Sequence, residues 1–215
     1  MLTIWGRRSA FNVQKVLWLI GELGLAYRHV PAGGSDGLLD TAAFLAMNPH
    51  GRIPVIDDDG TVVWESHSIL RFLAASHGQP AFWSHDAGIR SLAERWMDWA
   101  QTSLQPAFLD GVFRAGFRTP AGQRDAARVE AGIARCAAYF QLLDGVLADR
   151  PFLVGDSLGL ADICVGTHLY RYFELDIARP AVPRVEAWYA RLRERPAYRE
   201  HVMIPFEAMR GRLDD

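Results

Sequence analysis

The residues best suited to chemistry lie in the first third of the chain, where a pair of polar residues opens a helix. The pair is Glu65-Ser66, which follows a strand-like run and precedes an apolar helical stretch. A helix N-terminus presents backbone N–H groups that bind a carboxylate, and the Glu65 carboxylate can pair with an ammonium group. The pair therefore predicts a site for a zwitterionic amino-acid group.

A second polar segment, Asn48 to Ile56, contains His50, Arg52 and the dipeptide Ile53-Pro54. Pro54 stands at the start of a strand, where a residue without an N–H is tolerated. If the Ile53–Pro54 bond is cis, as about 5–6% of X–Pro bonds are, the backbone polar groups of Ile53 face outward. The segment then offers backbone hydrogen bonds next to the zwitterion site.

Strand and helix patterns alternate around these residues. Asp-Gly at 59–60 between two apolar runs is a strong hairpin signal, and a helix between the first two strands implies that they are parallel. Ser66 is the expected N-cap of its helix, and Gly24 is the expected stop of the first helix. The predicted strands are 2–5, 26–31, 53–56 and 61–64, and the predicted helices are 12–23, 41–47 and 66–75.

The composition changes after residue 77. A turn-rich linker at 78–87 leads into helical patterns over 88–108, 123–148, 160–172 and 182–194, with breaks at Thr119-Pro120, Arg150-Pro151, Arg179-Pro180 and Arg195-Pro196. The predicted fold is an α/β domain at 1–77 with a mixed four-stranded sheet, followed by an all-α helical bundle domain at 88–215.

Composition sets limits on function. The 215 residues carry a net charge of −2, which gives no electrostatic reason to expect nucleic acid or a membrane surface. No apolar run approaches the roughly 18 residues of a spanning helix, and the first residues do not form a signal peptide. Cys136 and Cys164 read as buried, inert thiols, too few for a disulfide framework or a four-ligand metal site. We expect a cytoplasmic protein without a metal.

At this point the chain resembles the cytosolic glutathione transferase superfamily along nearly its whole length. The motifs are Asn-Pro-x-Gly-x-Ile-Pro-Val-Ile at 48–56, Glu65-Ser66 after the hairpin, and the stretch 152–163 that ends in Ala-Asp-Ile. The resemblance implies a thioredoxin-like domain in which Ile53, ahead of a cis-Pro54, binds the cysteinyl unit of glutathione. It further implies that Glu65 and Ser66 hold the γ-glutamyl end and that His50 and Arg52 lie near the glycine end.

The helical motif departs from the family at Gly159, where Ser or Thr is usual. Gly supplies no capping oxygen, but Asp162 is able to accept a hydrogen bond from the Gly159 N–H, as the acid of a capping box does. We expect the motif to hold with half of its usual hydrogen bonds, as a matter of stability.

A transferase must present the glutathione sulfur as a thiolate, and the loop after the first strand is where the resemblance puts the residue that does so. Ser9 is the candidate donor to the sulfur, and Asn12 is its main competitor; each is alternatively a helix cap. Arg7 and Arg8 either raise the local potential or are simply solvated. No Tyr or Cys occurs near residue 9, which disfavours the tyrosine and cysteine classes of the family.

The second substrate has no motif. Candidate contacts are Phe11, Trp99, Phe113 and Arg114, although an aromatic residue at helical spacing is more often core. The resemblance also implies a two-fold homodimer, for which an apolar face at Leu92, Trp96 and Trp99 gives moderate support.

The predicted function is glutathione transferase: transfer of an alkyl or aryl group from a small hydrophobic electrophile to glutathione, in detoxification. Four other reactions on the same site remain open, namely peroxide reduction, reductive dehalogenation, ether cleavage and isomerisation, because they share the glutathione-binding residues. A non-catalytic glutathione-binding module is the other alternative. Retention on immobilised glutathione without turnover distinguishes that module from an enzyme.

Overall fold

The computed structural model describes residues 1–78 and 81–213. Residues 79–80 of the predicted linker and 214–215 of the predicted helical domain lie outside the described residues. The contacts divide the described chain into two units, one from 1–84 together with 196–204, the other from 85–195 and 205–213. The predicted domain boundaries stay a prediction; the structure adds that 196–204 groups with the first unit.

The first unit is built on a four-stranded sheet in the order β2-β1-β3-β4. The first strand is parallel to the second and antiparallel to the third, which forms an antiparallel hairpin with the fourth, as predicted. The third strand begins two residues later than expected, after Pro54. The strands are β1 at Leu2–Trp5, β2 at Tyr27–Val30, β3 at Val55–Asp58 and β4 at Thr61–Trp64.

Four α-helices among the described residues belong to this unit: α1 at Phe11–Glu22, α2 at Ala42–Met47, α3 at Ser66–His77 and α8 at Pro196–His201. The apolar face of α1 is fully buried, and Gly24 follows its end with φ of 64°, as expected for a helix stop. The break predicted at Arg195-Pro196 is followed by a new helix, because proline is favoured at a first helical position. Tyr198 of α8 packs edge-on against Trp18 of α1, with ring centroids 4.7 Å apart.

The second unit is helical. The helix predicted over 88–108 continues to Arg118, first as an α-helix, then with π-type hydrogen bonds. Pro106 lies within this stretch and, having no N–H, removes one hydrogen bond of the regular ladder. The helices are α4 at Ala87–Trp99, π segments at Ala100–Leu104 and Pro106–Arg118, α5 at Ala126–Val146, α6 at Leu160–Glu174 and α7 at Pro183–Arg193.

Two glycines let the second π segment and α5 cross in backbone contact. A Cβ placed on Gly132 would lie 2.6 Å from the carbonyl carbon and oxygen of Gly111, so no larger residue fits there. The rings of Phe140 of α5 and Tyr172 of α6 stack with their centroids 3.9 Å apart. Cys136 is fully buried, and burial raises the pKa of its thiol to about 12, in agreement with an inert thiol.

The expected hydrogen bond of Asp162 is present. Its Oδ2 accepts from the Gly159 N–H at 2.9 Å, and its Oδ1 accepts from the Leu153 N–H at 2.9 Å. Asp162 is fully buried, and burial raises the pKa of its carboxyl to about 7, although both N–H groups act in the opposite direction. One carboxylate thus ties the start of α6 to the loop before it.

None of the described helices is both long enough and apolar enough to cross a membrane. The described residues also contain no group of three or more His, Cys, Asp or Glu side chains arranged to hold a metal ion.

Candidate functional site

The register of the sheet brings the predicted site segments to one edge. Trp5 of β1 pairs with Val55 of β3, and Val55 pairs with Trp64 of β4. The loop that follows Trp5, the segment that precedes Val55 and the pair that follows Trp64 therefore leave the sheet side by side. These segments carry Ser9 and Asn12, then His50, Arg52, Ile53 and Pro54, then Glu65 and Ser66.

The start of α3 differs from the prediction. Ser66 is the first helical residue rather than the N-cap, and it is 3% exposed. The N-cap is Glu65, whose backbone has φ of 67° and whose side chain makes no capping hydrogen bond. Glu65 is exposed, so its carboxylate is open to solvent. The prediction failed because the left-handed backbone of Glu65 turns the chain at this point.

The Ile53–Pro54 bond is cis. The loop before it is held by Asn48, which is 2% exposed: its Nδ2 donates to the Arg52 carbonyl at 2.8 Å, and its Oδ1 accepts from the His50 N–H at 3.1 Å. The His50 ring lies 5.1 Å from the Trp64 ring, and both His50 and Arg52 are exposed. The sequence analysis included Asn48 in the motif but did not predict its structural role, although an Asn before Pro-x-Gly is a known turn signal.

The loop between β1 and α1 shows that neither candidate sulfur donor is the helix cap. The N-cap of α1 is Ala10, so neither Ser9 nor Asn12 occupies the capping position. Ser9 is half-buried, and Asn12 is the second residue of the helix. The Asn12 Oδ1 is buried and has no hydrogen-bond partner among the described residues. Which of the two contacts a sulfur stays a prediction.

A buried pair of basic residues beneath this edge was not predicted. Lys15 of α1 is fully buried, and its Nζ lies 3.1 Å from Nε2 of His67, which is 3% exposed and follows Ser66 directly. The Lys15 ammonium also lies 5.2 Å from the ring centroid of Phe11. The pair links α1 to the start of α3. The sequence signal was a lysine among the apolar positions of α1, which reads equally well as an exposed residue.

Two helix starts at this edge lack a side-chain cap. The N-cap residues of α1 and α3 are Ala10 and Glu65, and neither makes a side-chain capping bond within the described structure. Each N-terminus carries a partial positive charge from the helix dipole. The edge can therefore bind two negatively charged groups, one at each helix.

The predicted contacts of the second substrate have different surroundings. Phe11 belongs to the first unit and is 6% exposed. Trp99 lies half-buried between the rings of Trp96 and Tyr139, at 5.4 and 5.3 Å. Phe113 is 4% exposed and stacks on Phe117 at 5.2 Å, whereas Arg114 is exposed. Their role in binding a substrate stays a prediction.

The helical unit contains a cavity of about 470 Å³. Its apolar lining includes Val112, Phe117, Ile133 and Leu175, and none of Trp99, Phe113 and Arg114 contributes to it.

Family models and curated relatives point to the same protein family. A model of the glutathione S-transferase N-terminal domain matches residues 12–76, and a model of the C-terminal domain matches residues 95–196. The chain is 41% identical to glutathione S-transferase GstB of Escherichia coli K12 over 207 residues, which cover 95% of this chain and 99% of that protein. It is 30% identical to glutathione S-transferase 3 of Zea mays over 212 residues, covering 94% and 93% of the two chains.

A solved structure also matches. It is the theta class glutathione S-transferase of Xanthomonas axonopodis pv. citri with glutathione bound, at 42% identity and a TM-score of 0.89, covering 95% of this chain and 98% of that one.

Proposed function

Because the chain belongs to the glutathione S-transferase family, we propose that the edge of its sheet formed at Trp5, Val55 and Trp64 binds glutathione and ionises its thiol. One observation carries the proposal: two helix starts without a side-chain cap adjoin a cis-proline at the same edge of the sheet. Both the carboxylate of the γ-glutamyl group and the thiolate are anions that a helix N-terminus stabilises.

In the proposed complex, Ser66 and the start of α3 bind the γ-glutamyl carboxylate, and the Glu65 carboxylate pairs with the ammonium group. The backbone of Ile53 binds the cysteinyl unit, next to Pro54. The exposed side chains of His50 and Arg52 then lie near the glycine carboxylate, where a cation forms strong, charge-assisted hydrogen bonds.

The sulfur then lies near the start of α1. A free thiol has a pKa of about 8.5, and lowering it by two units requires roughly 2.7 kcal/mol of preferential stabilisation of the thiolate. A hydroxyl donor together with a helix N-terminus supplies energy of that order. We assign the donor to Ser9, with Asn12 as the competing residue.

The reaction follows from this arrangement. The bound thiol releases its proton to solvent, and the thiolate attacks the electrophilic carbon while the leaving group departs with the bonding electron pair. The protein contributes binding, ionisation and orientation of the nucleophile. We propose a small apolar electrophile, contacted by Phe11, Trp99, Phe113 and Arg114, and a role in detoxification.

Assembly and location are further parts of the proposal. On α4, Ile89 and Leu92 are 57% and 39% exposed and lie two turns and one turn before the half-buried Trp96. An exposed apolar face of this kind supports a homodimer. The near-neutral charge and the two reduced cysteines suit a cytoplasmic enzyme.

The test is a titration of the protein–glutathione complex in which thiolate absorbance is recorded across pH. We expect the bound thiol of the wild type to ionise well below pH 8.5, and Ser9→Ala to raise its pKa. Ser91→Ala, an exposed serine of α4 that donates to the Gly88 carbonyl, is the matched control and leaves the pKa unchanged. An unchanged pKa in Ser9→Ala moves the assignment to Asn12, and absence of saturable glutathione binding refutes the proposed site.

A further inference from the structure

Arg7, the second residue after β1, packs on a glycine turn rather than projecting into solvent. Its guanidinium lies against Gly34, where a Cβ would collide with Nη1 and would lie 3.4 Å from Cζ. Arg7 is half-buried, whereas its neighbour Arg8 is exposed. The backbone of Gly34 has φ of 60°, so the turn is built from a residue that both allows this conformation and leaves room for the guanidinium.

The guanidinium of Arg7 lacks an anionic partner within the described chain. Its Nε is buried and has no hydrogen-bond partner there. Arg8, in contrast, donates from Nη2 to the Tyr27 hydroxyl at 3.4 Å. A buried donor without an acceptor costs free energy, and this cost falls when an anion binds beside it.

The surroundings of Arg7 belong to the proposed sulfur site. Its carbonyl accepts the Ala10 N–H at 3.0 Å, which closes the turn that contains Ser9. Ile53 packs against the two glycines that precede Arg7 and Gly34: its Cβ is 3.4 Å from a Cβ position on Gly6, and its Cδ1 is 3.1 Å from one on Gly33. Arg7 is thus part of the turn that contains Ser9, and its guanidinium packs on Gly34, whose neighbour Gly33 lies beside the residue proposed to bind the cysteinyl unit.

We propose that Arg7 stabilises the glutathione thiolate through its positive charge, in addition to the hydrogen-bond donor of the Ser9 turn. This inference rests on the proposed function. A cation beside a thiol favours the ionised form and lowers the thiol pKa. The step is an acid dissociation: the S–H bond breaks, the sulfur keeps the electron pair, and the proton leaves to solvent.

Three other titratable side chains belong to the elements next to Arg7. His29 of β2 donates from Nε2 to the Gly6 carbonyl at 2.6 Å, and Asp36 lies in the turn that carries Gly34. Arg8 is directed to Tyr27. A matched substitution at Arg8 therefore removes the same charge from the same loop without removing the contact on Gly34.

The first experiment compares Arg7→Gln and Arg7→Lys with Arg8→Gln. Thiolate absorbance of bound glutathione is recorded across pH, and binding of S-methylglutathione, which has no ionisable thiol, is measured by calorimetry. We expect Arg7→Gln to raise the thiol pKa by about one unit, a tenfold loss of thiolate below both pKa values, which corresponds to about 1.4 kcal/mol. Arg7→Lys retains part of the effect, Arg8→Gln leaves the pKa unchanged, and affinity for S-methylglutathione stays within about twofold.

A second experiment displaces Arg7 without replacing it. Gly34→Ala places a methyl group against the guanidinium, whereas Gly37→Ala, at nearly the same φ of 62°, meets nothing within 4 Å. Both variants add strain at a residue with positive φ, but only Gly34→Ala displaces Arg7, so only Gly34→Ala is expected to raise the thiol pKa.

Three outcomes count against the inference. A thiol pKa that is low in the wild type and unchanged in Arg7→Gln overturns it and leaves the proposed function intact. Weaker S-methylglutathione binding with an unchanged pKa assigns Arg7 to a carboxylate of glutathione instead. A wild-type complex whose thiol titrates as in solution removes the proposed sulfur site itself, and the inference with it.

Discussion

The helix starts of the two units are built differently. In the helical unit, α4 and α5 are capped by Asp86 and Asp125, which accept from Ile89 N–H and Arg128 N–H at 3.1 Å each. The N-terminus of α7 is capped from a distant part of the chain, since Asp144 Oδ1 accepts from the Arg184 and Val185 N–H groups at 2.7 and 3.2 Å. In the first unit, the short α2 is capped by Thr41, but the long α1 and α3 have no side-chain cap in the described structure.

This difference indicates that the helix starts of the two units serve different purposes, stability in one and ligand binding in the other. A side-chain cap contributes about 0.5–2 kcal/mol to stability, so the helical unit uses its helix dipoles for folding. The first unit leaves that stabilisation unused at the two helices that start at the proposed glutathione site. In the proposed complex, a bound anion takes the place of the cap and gains the interaction instead.

The largest expected effect is on the stability of the helical unit, at the start of α6. Asp162→Ala leaves the N–H groups of Leu153 and Gly159 without their acceptor, and each unsatisfied buried group costs about 1–3 kcal/mol. We expect a loss of about 3–4 kcal/mol in the free energy of unfolding, measured with urea. The thiol pKa of bound glutathione in the protein that remains folded is expected not to change.

Asp156→Ala is the control for that experiment, because Asp156 is an exposed residue of the same loop. Its expected effect is below about 0.5 kcal/mol. Equal losses in the two variants would show that the loop, and not the buried carboxylate, sets the stability of this region.

The next prediction adds a cap where the protein lacks one. Ala10 has the extended backbone of an N-cap, with φ of −75° and ψ of 126°. Ala10→Asn and Ala10→Asp should each stabilise the protein by about 0.5–1 kcal/mol. Ala10→Asp also places a carboxylate beside the proposed thiolate and should raise the pKa of the bound thiol by about one unit or more.

Ala10→Asn separates the two effects, since it supplies the capping oxygen without the charge. Unfolding free energy and the thiol titration are measured on the same samples. A gain in stability from Ala10→Asp with no change in the thiol pKa would place the sulfur away from α1.

Local patterns were enough to predict most of the first unit. The hairpin turn at Asp59-Gly60 fixed the β3–β4 pairing, and the crossover helix fixed the parallel β1–β2 pair. The hydrogen bond from the Gly159 N–H to Asp162 was predicted as well, because the two ends of a capping box are only three residues apart in sequence. Each of these features depends on residues close together in sequence.

Features set by distant contacts were not predicted. The Asp144 cap joins residues 40 apart in sequence, and the Lys15–His67 pair joins residues 52 apart. The position of Glu65 as an exposed N-cap depends on a left-handed backbone, which its residue type disfavours. The local sequence pattern does not show which distant residues come into contact.

The smallest expected effect is on the pH dependence of stability, which differs between a histidine of the first unit and an aspartate of the helical unit. His201 of α8 is 3% exposed, and its ring lies 6.5 Å from the ring of Tyr27. Burial lowers the pKa of His201 below 6.5; the nearby Glu200 raises this pKa, and Arg8 lowers it further. A histidine with a lowered folded-state pKa contributes stability that is present above pH 6.5 and is lost as the pH falls through the folded-state value. Asp162 gives the opposite slope: its pKa rises from 3.8 to about 7, so its contribution is complete below pH 3.8 and is lost as the pH rises through about 7.

Because the two slopes overlap, the wild-type profile alone does not identify either group. His201→Gln should flatten the loss of unfolding free energy as the pH falls below 6.5, while the exposed His85→Gln should not. Asp162→Asn, which resembles the protonated acid, should flatten the profile between about pH 4 and 7 instead. If His201→Gln and His85→Gln gave the same profile, the acid sensitivity would lie outside the contact between α1 and α8.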